Sequence, residues 1–182
     1  MTNLRFICWL MLSAIVVPAW CQPPQAVEAW GHIGVAHAAG DESFIGDPFT
    51  YGGGVSVPLT RRLAINVDVE RMRAARFNPV TRVFLSPALV WRWGSERCYG
   101  FAGGGFGVQI DRSTGFRYDA IPGQQQPSVS QVQSTEYGTT LHGQVGIVFN
   151  PVGGLIVRTE FVSHWRYVLP TAGVRIGIGY RF

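Results

Sequence analysis

The side chains able to do chemistry in this chain alternate with apolar ones instead of clustering in catalytic motifs. Asn66, Asp68 and Glu70 occupy alternate positions, as do Arg158 and Glu160, and Arg82, Arg92, His142, Gln144, Arg175 and Arg181 sit between apolar neighbours. Successive side chains of a β-strand point to opposite faces, so this spacing gathers acids and bases on one face. Asp68, Glu70, Arg82, Arg92, Arg158, Glu160 and Arg175 are therefore the expected members of a polar network in which opposite charges pair. The same arginines could instead line a narrow pore that favours anions. Ser163 and His164, with Glu160 close by, come nearest to a nucleophile and its base. Neighbours on a strand face opposite ways, however, which leaves that pair badly placed for proton transfer. His32, His37 and His142 lie elsewhere, and no spacing fixes any of them to a serine. There is no phosphate loop, metal-ligand motif or nucleophile elbow. No catalytic, cofactor-binding or metal residues are expected.

The elements that would carry these residues follow from the apolar partners. The last nine residues put Val174, Ile176, Ile178, Tyr180 and Phe182 on one parity and Arg175, Gly177, Gly179 and Arg181 on the other. An uncovered apolar strand face invites aggregation in water. In lipid it is what a barrel strand presents to the acyl chains, with an aromatic residue at the interface. Composition agrees: 23 glycines, 13% aromatic and only 14% charged residues, against about 25% charged in soluble domains. The basic residues are all arginine, and the net charge of +4 is not concentrated in a run, so a nucleic-acid partner is not indicated.

Arg5, the apolar run Phe6–Val17, Pro18 and then Ala19-Trp20-Cys21 have the form of a secretory signal peptide covering residues 1–21. Cys21 leaves open a lipoprotein alternative, although Trp20 is bulky for the position before an acylated cysteine. The expected product, residues 22–182, keeps one cysteine, Cys98, which cannot form an internal disulfide. It has no segment of about 18 apolar residues as a membrane helix needs, and a closed barrel is the remaining way to cross a membrane.

Eight alternating segments are expected: Glu28–Ala38, Phe49–Leu59, Leu63–Arg73, Val80–Trp93, Cys98–Asp111, Tyr137–Phe149, Gly154–His164 and the terminal strand after a Trp165–Leu169 link. In the fifth, apolar parity changes from Tyr99 and Phe101 to Phe106, Val108 and Ile110. Either a bulge near Gly103–Gly105 or a misplaced register would produce that change. Arg112–Glu136, rich in turn formers, reads as a long mobile loop. Short turns after strands two, four and six and longer links after the others match the periplasmic and extracellular ends of an outer-membrane barrel.

On these residues the chain resembles the small eight-stranded outer-membrane β-barrels of the OmpA/OmpX-like type, an all-β, antiparallel, up-and-down architecture. The resemblance implies residence in the outer membrane, contact with its lipid and lipopolysaccharide, and no cofactor. It also implies that Val174, Ile176, Ile178, Tyr180 and Phe182 form the terminal signal read by the barrel-assembly machinery, with periplasmic chaperones acting during biogenesis. The implied role is structural or adhesin-like, through a surface ligand bound by loop 112–136. A narrow passive pore and a lipid A-modifying enzyme are the alternatives.

Overall fold

The computed structural model describes residues 23–38, 49–74, 80–119, 128–166 and 169–182. The expected signal peptide lies outside these residues. The eight strands are β1 (Glu28–Ala38), β2 (Phe49–Pro58), β3 (Leu63–Ala74), β4 (Val80–Gly94), β5 (Cys98–Asp119), β6 (Ser128–Phe149), β7 (Leu155–Arg166) and β8 (Leu169–Arg181). They form a closed antiparallel barrel in chain order. The ring closes between β1 and β8, in register from Glu28↔Arg181 to Ala38↔Thr171. At that seam Phe182 donates its backbone N–H to Val27 (2.9 Å) and Arg181 donates to Gly154 (2.8 Å).

One end carries the start of β1, the end of β8 and three tight turns. At the β2–β3 turn the Thr60 hydroxyl accepts from the N–H of Leu63 at 3.0 Å. At the β4–β5 turn Ser95 Oγ accepts from the N–H of Cys98 at 3.1 Å. The β6–β7 turn places Gly153 and Gly154 at φ 52° and 87°, backbone that L side chains rarely adopt.

Three sequence expectations are corrected at the other end and along the wall. Arg112–Glu136 is largely strand: β5 and β6 stay paired from Cys98↔Phe149 out to Asp119↔Ser128. The β4–β5 pairing begins at Val80↔Ser113 and the β6–β7 pairing at Leu141↔Trp165, so the far part of this hairpin stands clear of its neighbours. Residues 130–137 are exposed at both parities, so apolar alternation is lost there while the backbone ladder stays intact.

The bulge near Gly103–Gly105 is absent. The register of β5 with β6 is continuous, and the apolar parity changes because Tyr99 and Phe101 point into the barrel while Phe106 and Val108 point out. Finally, Trp165 and Arg166 belong to β7, and only residues 167–168 separate it from β8. The links at this end are therefore not uniformly long.

The outer face is a belt of exposed apolar side chains, among them Ile33, Val55, Val67, Leu85, Leu89, Leu141, Ile147, Phe161, Val174 and Ile176. The interior is polar and filled. Arg92, Arg158, Arg175, Tyr99, Phe84 and Phe101 are its largest fully buried side chains.

Candidate functional site

The chemistry-bearing side chains meet inside the barrel in three tiers. Nearest the tight turns, the Glu28 carboxylate is fully buried. It accepts from Arg181 Nε at 2.8 Å and from the Tyr99 hydroxyl, and it faces Arg92 at 3.6 Å. Arg92 lies over the Tyr99 ring, 4.4 Å from its centroid. Arg181 also donates to the backbone oxygen of Glu96 at 2.7 Å, tying β8 to the β4–β5 turn.

In the middle tier, the Arg158 guanidinium sits between two aromatic rings, 4.1 Å from Trp30 and 3.9 Å from Phe101. Desolvated cation–π contacts of this kind are worth about 2 kcal/mol. Gly146 leaves space for Phe101, since a Cβ there would lie 2.7 Å from the Phe101 ring. Arg158 donates through Nε (3.0 Å) and one terminal nitrogen (2.7 Å) to the same Glu160 oxygen, and more distantly to Gln144 at 3.4 Å. Arg175 bridges two acids, at 2.9 Å from Glu160 and 3.2 Å from Glu70. His164 stands 3.3 Å from Glu70 and is stacked flat on Phe84, centroids 3.9 Å apart.

Toward the hairpin end, Asp111 accepts from Arg82 at 2.8 Å and from Arg166 at 3.1 Å. Gln109 reaches the same carboxylate at 2.7 Å.

The structure thus brings Glu70, Arg158, Glu160 and Arg175 into one ion-paired cluster and puts Asp68 within its field. Arg82 joins a separate group around Asp111, and Arg92 one around Glu28. Sequence reasoning left out Glu28, Trp30, Tyr99, Phe101 and Asp111 as interior residues. Glu28 and Trp30 share the parity of His32, and Asp111 that of Gln109, so alternation held the information. The interior aromatics were hidden because an aromatic residue in a barrel strand suits the lipid face equally well.

Ser163 and His164 do face opposite ways: His164 is buried and Ser163 lies on the outer parity. His164 is spent on Glu70 and Phe84. Val174, Ile176, Ile178, Tyr180 and Phe182 are all exposed on the outer face, and the Tyr180 and Phe182 rings meet edge to face with centroids 5.3 Å apart.

Closed ring, polar filled interior and apolar outer belt together define the fold of the small eight-stranded outer-membrane β-barrels. Among solved structures the chain is similar to Ail, the attachment invasion locus protein of Yersinia pestis, at 12% identity and TM-score 0.60, over 87% of this chain and 100% of that one. It is also similar to Neisserial surface protein A, at 11% identity and TM-score 0.62 over 86% and 97%. A third likeness is to the outer membrane protein OprG from Pseudomonas aeruginosa, at 8% identity and TM-score 0.54 over 89% and 97%. No family model matches the chain, and no curated protein matches it in sequence.

Proposed function

We propose that this protein is exported by its residue 1–21 signal peptide, spans the outer membrane, and anchors the β5–β6 hairpin at the cell surface in an adhesin-like role. The hairpin is the observation that carries this reading. Two 22-residue strands are far longer than the roughly 9–11 residues needed to cross a bilayer, and the excess projects from one end as a ribbon. Ser113 and Ser134 join their hydroxyls across it at 2.8 Å, and residues 130–136 are exposed throughout. Function on a rigid scaffold concentrates in such projections.

In this reading lipid and lipopolysaccharide surround the apolar belt, and the tight turns face the periplasm. The barrel-assembly machinery reads the terminal strand that chaperones deliver. Adhesion fits better than conduction, because buried arginines and aromatic rings occupy the interior. It also fits better than lipid A modification, because the Ser163–His164 pair is split across the wall. The names of two similar proteins, an attachment locus protein and a surface protein, lean the same way.

The test is adherence of Gram-negative cells displaying the intact chain or a chain with residues 112–136 replaced by a short turn. Both should give equal amounts of heat-modifiable barrel, and only intact-hairpin cells should adhere to cultured epithelial monolayers. Equal adherence of both strains would overturn the surface role.

A further inference from the structure

Several buried polar atoms of the middle tier have no hydrogen-bond partner, and among its acids Asp68 is the one without an ion pair among the described residues. Asp68 is 3% exposed, yet its Oδ1 has no hydrogen-bond partner and no ion pair to it is found among the described residues. His32, 5% exposed, has an unpartnered Nδ1, and Glu160 Oε1 lies 2.9 Å from Arg175 without an aligned donor. An unpaired buried carboxylate is costly, and polar atoms orphaned together call for a missing partner. His32, Asp68 and Glu160 each offer one ligand atom, and the three atoms lie within 4.8 Å of one another.

The chemistry of the donors says what that partner is. Around Asp68 stand two more carboxylates, Glu70 and Glu160, and two guanidinium groups, Arg158 and Arg175. All of these charged groups are buried.

One imidazole nitrogen with two carboxylate oxygens is a donor set for a borderline divalent ion such as zinc. Donors at about 2.0–2.2 Å from such an ion lie roughly 3.4 Å apart. The spacing of up to 4.8 Å must therefore contract by about 1.4 Å for the three atoms to hold one ion. Arg158 holds the other Glu160 oxygen and so fixes that ligand from behind, as outer-shell partners do. Arg175 lies 3.5 Å from His32 Nε2 and is ion-paired with Glu70.

We propose that His32, Asp68 and Glu160 form a site for one divalent cation inside the barrel, cross-linking β1, β3 and β7. The site does not depend on the hairpin, and its failure would leave the surface reading intact.

The protein folded into detergent micelles with a slight excess of zinc, then desalted, should retain one ion per chain by mass spectrometry. H32Q and D68N, checked for folding by heat-modifiable mobility, should retain less by more than about tenfold, the lower bound for even outer-shell changes. H37Q, an exposed position, should retain the full amount. X-ray absorption of the zinc-loaded wild-type protein covers the case in which the variants do not fold. It should show a single imidazole with oxygen donors and no sulfur. Absence of stoichiometric zinc in the wild type would overturn the site. So would equal retention in folded H32Q and D68N, or a sulfur donor that places the ion at the free Cys98 thiol.

Discussion

At the turn end a hydroxyl and two guanidinium groups converge on one acid: Tyr99, Arg92 and Arg181 all address the buried Glu28 carboxylate. Replacing it by Gln leaves Arg92, 1% exposed, without a counter-charge. Removing one partner of a buried pair costs about 3–5 kcal/mol. Glu28→Gln should therefore lower stability by about that amount in urea unfolding followed by tryptophan fluorescence, and Arg92→Met in the same chain should recover part of it. A loss below about 1 kcal/mol, the size of a surface pair, would contradict the buried network. Polar interior residues such as Asp68 and Arg175 were legible because they interrupt apolar alternation. Tyr99 and Phe101 were not, because their place inside depends on the guanidiniums they cover, which arrive from β4 and β7. Nor does any sequence motif join His32, Asp68 and Glu160, which sit on three strands brought together only by closure.

Among the elements, β3 and the β5–β6 hairpin make a direct contrast. Val67 lies in the middle of β3 on the outer belt and is 39% exposed. An arginine at the bilayer midplane costs roughly 2–4 kcal/mol and little near the interface, so Val67→Arg should destabilise by that range. Thr135→Arg, also at an exposed position but on the projecting ribbon, should change stability by less than about 0.5 kcal/mol. Equal losses at the two positions would place the ribbon inside the bilayer. The inner face is no gentler than the outer. Asn66 is 1% exposed, and a Cβ at Gly177 would stand 2.9 Å from the Gly31 oxygen. Arginine at either should therefore reduce the yield of heat-modifiable barrel instead of being accommodated in the lumen. Strand positions within the belt were legible, since each buries one face against polar groups and offers the other to apolar surroundings. The ribbon was not, because alternation reports a difference between two faces and vanishes where both are wet.

For the whole molecule, ring closure converts local alternation into a long-range charge network. Arg175 on β8 reaches Glu70 on β3 across the interior, and His164 on β7 reaches the same acid. The ring itself was foreseeable from strand count and turn spacing, but which charges pair across it was not. Pairing depends on the registers between strands, which the sequence of any one strand does not contain. The terminal strand completes the ring, so changing Tyr180 and Phe182 to Ser should lower outer-membrane yield while periplasmic export continues. Normal yield in a quantitative fractionation would remove the role given to that strand in assembly. The interior has a more direct test. Side chains from every tier are buried, ion-paired or stacked, so the barrel should be sealed whether or not the hairpin is present. Planar-bilayer conductance of the purified protein, intact and with residues 112–136 shortened, measures this directly. Silence in both is the expected result, and stable anion-selective steps from the intact protein would contradict a sealed, surface-acting barrel.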